Sequence, residues 1–156
     1  MYVPPPLIDS IRDLFDVYCL LNAKGINKEL KHGFIMALLS HPRAIHEILQ
    51  PKFHNQEIAF VNQFQGMTIK PFTYKDFEET RKTLLSIIPN LLTEEDKRFL
   101  LSFKSGTLDW ALNDIKNLQD LPAIKWKLIN IGKLMRSNPS KHLTLINKLE
   151  SCLNSL

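Results

Sequence analysis

The chain of 156 residues predicts an all-α fold, a compact array of about eight or nine short helices. Three observations carry this reading. Apolar residues recur three and four apart almost throughout, the spacing of one face of a helix. No stretch alternates apolar and polar like a strand, and no segment repeats at a fixed period. Only five glycines are present, and Thr, Asn and Pro fall where helices of ordinary length start and stop.

Pro4 to Pro6 form a short extended lead-in. A first helix is expected from Leu7 to about Leu21. Leu7, Ile8, Ile11, Leu14, Phe15, Tyr18 and Leu21 share one face, and Asp9, Arg12, Asp13 and Asp16 the opposite one. Lys24-Gly25 ends it, because glycine accepts the left-handed cap conformation. Asn27 caps a second helix through Leu38. Ser40-His41-Pro42 closes that helix and opens a third with Pro42 at its first position, which Pro51 stops. A fourth runs from Asn55 to Phe64 and ends at Gly66. The connector from Gly66 to Phe72 is the expected boundary between two helical subdomains, 1–66 and 67–156.

Punctuation is clearer beyond that point. Thr73-Tyr74-Lys75-Asp76 and Thr93-Glu94-Glu95-Asp96 are capping boxes. In each, the threonine accepts from a free backbone N–H and the carboxylate three residues on bonds back. Helices are expected after them, to about Ile88 and Lys104. Ser105-Gly106-Thr107 is a turn, and Leu108 to Ile115 reads as one short helix. Pro122 opens a helix to about Arg136, and Asn138-Pro139 starts the last, to about Leu153.

Composition excludes several classes. Apolar residues make up 44% and charged residues 23%, so disorder along the whole chain is not expected. Cys19 and Cys152 are too few for a disulfide scaffold or an all-cysteine metal site. No run approaches the ~18 consecutive apolar residues that span a bilayer. Met1 to Pro6 has neither a basic start nor an apolar core, so a cytoplasmic protein with reduced thiols is expected. The net charge of +4 permits an anionic partner without demanding one.

Chemistry-bearing patterns are few. His41 and His46 are five apart, which does not place two imidazoles on one helical face, so the histidines read as scattered surface or capping residues. Neither cysteine has a base beside it in sequence, and no glycine-rich phosphate loop or Gly-x-Ser-x-Gly turn occurs. Two charged faces remain. Arg12 and Asp16 are an i,i+4 pair with Asp9 and Asp13 beside them. That is either a solvated face with weak ion pairs or one turned toward a nucleotide, with Arg12 meeting phosphate. In the helix after Pro122, Lys125, Lys133 and Arg136 lie to one side with Trp126 at the edge. Basic and aromatic groups so placed can bind single-stranded nucleic acid.

Several segments resemble a known family. Arg12-Asp13-Leu14-Phe15-Asp16-Val17-Tyr18 with Leu20-Leu21 is similar to the Arg-Asp-x-x-Asp-Leu-Tyr motif of the AbiEii/AbiGii-type nucleotidyltransferase toxins of abortive-infection toxin–antitoxin systems. Phe60-x-x-Gln63-Phe64-x-Gly66-Met67-Thr68 resembles the Phe-Gly-Met-Thr connector of that family's C-terminal half. Leu92-Thr93-Glu94-Glu95, Phe99 to Gly106, Asp109-Trp110 and Leu121-Pro122-Ala123-x-Lys125-Trp126-Lys127-Leu128-x-Asn130 are similar in turn. The pieces run in order from about Leu7 to the end. The family's catalytic half carries a Gly-Ser turn and an acidic pair for Mg²⁺, and this sequence has no Gly-Ser and no Asp-x-Asp. The lysine that precedes the family motif is also missing.

The resemblance therefore implies the helical half without its catalytic half, a scaffold and partner-binding element inactive alone. It implies Arg12, Asp13 and Asp16 as nucleotide-site candidates, able at most to bind phosphate. No cofactor is expected in this chain, and Mg²⁺ and a nucleoside triphosphate only with a catalytic half supplied. The partners expected are an antitoxin-like protein or that missing half, or a second copy, docking on exposed apolar surface. The alternative is a nucleic-acid-binding module for tRNA or DNA through Lys125, Trp126, Lys133 and Arg136.

Overall fold

A computed structural model describes residues 11–156, apart from the side chains of Arg12 and Asp13. The proline lead-in, the expected helix start at Leu7 and the apolar positions Leu7 and Ile8 lie outside the described residues, as does Asp9. Eight α-helices and two short 3₁₀ turns follow one another, and no strand occurs among the described residues.

Local signals explain most boundaries. Helix α1 (Ile11–Lys24) ends at Gly25, whose φ of 64° is the left-handed conformation expected there. Helix α2 (Lys28–Ser40) starts where the Asn27 side chain accepts from the Leu30 N–H at 2.8 Å. Both capping boxes form: Thr73 with Asp76 starts α5 (Tyr74–Leu91), and Thr93 with Asp96 starts α6 (Glu94–Ser105). Gly106, with φ 81°, caps α6; a Cβ there would lie 2.7 Å from the Met135 sulfur. Pro122 and Pro139 occupy the first positions of α7 (Pro122–Ser137) and α8 (Pro139–Asn154).

Three expectations are corrected. Pro42 does not open the third helix; α3 (Ile45–Leu49) starts after Ala44. The Lys127 ammonium donates to the carbonyls of His41 and Arg43, which holds the intervening chain out of a helix. Helix α5 does not stop near Ile88 but continues through Pro89 to Leu91. Pro89 falls in the last turn, and Ile88, Leu91 and Leu92 beside it are all buried. Residues 108–115 are not one helix. Only Trp110–Leu112 make a 3₁₀ turn, with a second at Leu118–Asp120. The side chains of Asp109 and Asn113 accept from the N–H groups of Ala111 and Ile115, a local alternative to helical bonding.

Two hydrophobic clusters hold the helices. The larger joins α2, α3, α6, α7 and α8 to the C-terminal end of α5, around Leu39, Phe99, Leu100, Phe103 and Ile124. The smaller is rich in aromatics. It joins Ile11 and Leu14 of α1, Phe60 and Phe64 in and after α4 (Glu57–Gln63), Phe72 of the connector, and Phe77 and Leu84 of α5. Phe60 alone lies within 6.0 Å, centroid to centroid, of Phe64, Phe72, Tyr74 and Phe77. Leu85 of α5 packs against both clusters, so α5 spans them. Each cluster takes residues from both sides of Gly66, and the connector's own Phe72 is buried. No helix among the described residues is long and apolar enough to cross a membrane.

Candidate functional site

Three regions bear on function: the outer surface around α1 and α4, an apolar groove, and the exposed side of α7. Arg12 and Asp13 sit in the first turn of α1, and their side chains lie outside the described set. The pairing of Arg12 with Asp16 therefore lies outside it as well. Asp16 is exposed and borders a shallow hollow with Phe15, Phe64 and Met67. A carboxylate there faces water beside aromatic rings. Outside the aromatic cluster, Ile58 and Val61 of α4 are 78% and 50% exposed, and Ile69 of the connector is fully so.

The groove lies between α1, α2 and α5, with a volume of about 330 Å³. Val17, Leu21, Leu30, Phe34, Leu84 and Ile87 form its walls. Lys24, Glu29 and His41 are the only acidic or basic residues among those lining it, in a wall that is otherwise mostly aliphatic. Its chemistry is therefore the burial of apolar surface rather than proton transfer. No periodic feature separates the groove from the core positions around it, because each wall is an ordinary amphipathic face.

On α7 the four predicted residues are all exposed, but they do not act together. The Lys133 ammonium lies 5.6 Å from the centroid of the Trp126 ring, a cation–π distance. Lys125 turns toward Asp120, 3.9 Å away. Arg136 folds back over Gly132: a Cβ added there would meet its guanidinium at 3.6 Å. Trp126 and Lys133 are thus brought together, while Lys125 and Arg136 are directed elsewhere.

Trp126 also lines a second pocket of about 330 Å³, between the end of α2, the end of α6 and α7. Two lysines missed by sequence reasoning share it, Lys104 and Lys127. The Lys127 ammonium donates to the His41 carbonyl at 2.5 Å and to that of Arg43 at 3.3 Å. Burial, reinforced by the like charge of Lys104, lowers its pKa to about 8. Burial also lowers the pKa of Lys104. In sequence both are lysines on ordinary helices, with nothing to distinguish them from their solvated neighbours.

The histidines serve the structure. His32 meets Asp114 at 2.8 Å, where Lys28 also pairs with the carboxylate, and the hydrogen bond from Lys28, helped by that with His32, holds Asp114 below the usual carboxylate range. His142 is buried with Nε2 at 2.8 Å from the Lys104 carbonyl. Burial lowers the pKa of His46, helped by Lys148 and Lys104 and opposed by Glu47. Among the described residues no group of three or more His, Cys, Asp or Glu is placed to hold a metal ion.

The class these features define is a helical array with an apolar groove between α1, α2 and α5 and a basic, tryptophan-edged pocket between α2, α6 and α7. No family model, curated protein or solved structure matches the chain.

Proposed function

We propose that this chain is a partner-binding helical module, the scaffold half of a nucleotidyltransferase-toxin-like system, working in the cytoplasm and inactive alone. The observation that carries the reading is the outward exposure of Ile58, Val61 and Ile69 around the aromatic cluster, while the apolar groove opens between α1, α2 and α5. A soluble chain gains nothing by wetting large aliphatic side chains, whereas a partner that covers them gains about 25 cal/mol for each Å² removed from water. The ordered run of family-like segments supports the same reading. It makes the partner an antitoxin-like protein or a catalytic half that brings its own Mg²⁺ and nucleoside triphosphate, and it leaves Arg12, Asp13 and Asp16 to complete that partner's nucleotide site.

The test is light scattering on the purified chain, alone and mixed with the products of neighbouring genes. A defined complex is expected with one of them, and Ile58→Asp with Val61→Asp should abolish it without lowering helicity. A wild-type chain that stays monomeric with every neighbour overturns the reading.

A second reading is favoured by one observation, the stacking of Lys133 over the exposed Trp126 ring. Together these present a cation and an aromatic face to a single strand, of the kind found at tRNA ends or in unpaired DNA. Binding of labelled single strands should then weaken steeply with salt and fall about tenfold or more in Trp126→Ala. No measurable binding at low salt removes this reading.

A further inference from the structure

The basic pocket gathers two lysines, Lys104 and Lys127, in one cavity. Ser40, Pro42, Lys104, Trp126, Lys127 and Asn130 line it, and no carboxylate does. Lys127 is anchored at the C-terminal end of α2, where backbone carbonyls hold its ammonium in place. Lys104 stands on the last turn of α6, and its ammonium has no hydrogen bond or ion pair among the described residues. Two partly buried ammonium groups in one cavity repel each other and are poorly hydrated, a cost that an entering anion removes. The indole at the rim adds a flat apolar surface, and the Asn130 amide a donor and an acceptor.

We propose that this pocket binds a phosphate carried on a flat ring, a nucleotide in chemical class, with Lys104 and Lys127 on the phosphate and Trp126 against the base. The site is separate from the docking surface and shares only Trp126 with the strand-binding reading. Its volume is at the lower end of small-ligand cavities, which suits a mononucleotide unit. The phosphate can belong to a free nucleotide or to the end of a strand.

The experiment is calorimetric titration of the full chain at low salt with AMP, adenosine and inorganic phosphate. AMP is expected to saturate and to bind more tightly than either fragment. Lys104→Met should weaken it about tenfold or more, the loss of one charge-assisted bond, without lowering the melting temperature, because that ammonium holds nothing in the fold and its repulsion of Lys127 is removed. Lys127→Met is not the deciding variant, since it also releases the α2–α3 connection; Lys75→Met, on the exposed side of α5, should bind like the parent chain. Competition by a 5′-phosphorylated but not a 5′-hydroxyl trinucleotide assigns the strand end. A trinucleotide that fails to displace bound AMP assigns the free nucleotide. AMP that does not saturate at millimolar concentration, or that binds Lys104→Met as well as the parent, overturns the proposal.

Discussion

Lys127 shows how one side chain can serve structure at a cost. Its ammonium holds the carbonyls of His41 and Arg43, residues more than 80 positions away in sequence. Burial, then the charge of Lys104, lowers its pKa to about 8 from 10.5. Below pH 8 both the folded and unfolded chains carry the proton, and the cost of burying the charge is fully present. Between about pH 8 and 10.5 the unfolded chain binds more protons than the folded one, so stability contributed by this group rises with pH. Denaturant titrations of the wild type and Lys127→Met across that range should show a positive slope that the variant lacks. Equal slopes would place the ammonium in water. Arg81 is the counterpart near the aromatic cluster. It is buried, bonded to Glu78 at 2.8 Å, and set over Phe53 and Phe77 at 4.3 and 5.0 Å.

Among the elements, the capping boxes separate local from long-range bonding. Thr73 and Thr93 make the same reciprocal bonds with Asp76 and Asp96. The bonds from Thr73 hold Asp76 below its usual pKa, so the stability it supplies is present above about pH 4 and is lost as pH falls below that. Asp96 differs in being buried and in meeting Lys31 of α2 at 3.0 Å, a tie between helices. Alanine at either threonine should cost about 1 kcal/mol in chemical denaturation. Thr93→Ala should cost the more, because the freed carboxylate is buried, and the reverse order would mean that Asp96 rehydrates easily. Both boxes were legible in sequence because every bond in them spans three residues. The start of α3 was not, since Pro42 is a good first residue and what prevents a helix there is a lysine on α7.

At the scale of the molecule, α5 decides whether the two clusters behave as one. Leu85 touches both, and Leu84 and Ile88 lie on either side of it in different clusters. Coupling through a helix core of this kind predicts a single cooperative transition. Unfolding followed by circular dichroism should coincide with that followed by tryptophan fluorescence, because Trp110 packs against the larger cluster while the dichroism samples every helix. Phe77→Ala, which empties a fully buried site in the smaller cluster, should cost about 3–5 kcal/mol and shift both signals together. Separate midpoints would mean that α1 and α4 unfold on their own.

The sequence by itself determined the helical class, most helix ends, and the positions of Asp16, Trp126 and Lys133 on exposed faces. Those features rest on periodicity and on caps closed within about four residues, so the information is local. Only the tertiary structure decided that residues 108–115 break into turns, that Lys125 turns to Asp120, and that Lys104 and Lys127 share a pocket with Trp126. The pocket brings together α2, α6 and α7, and charge loses its hydration only where separate elements pack around it. No spacing along one helix records that burial.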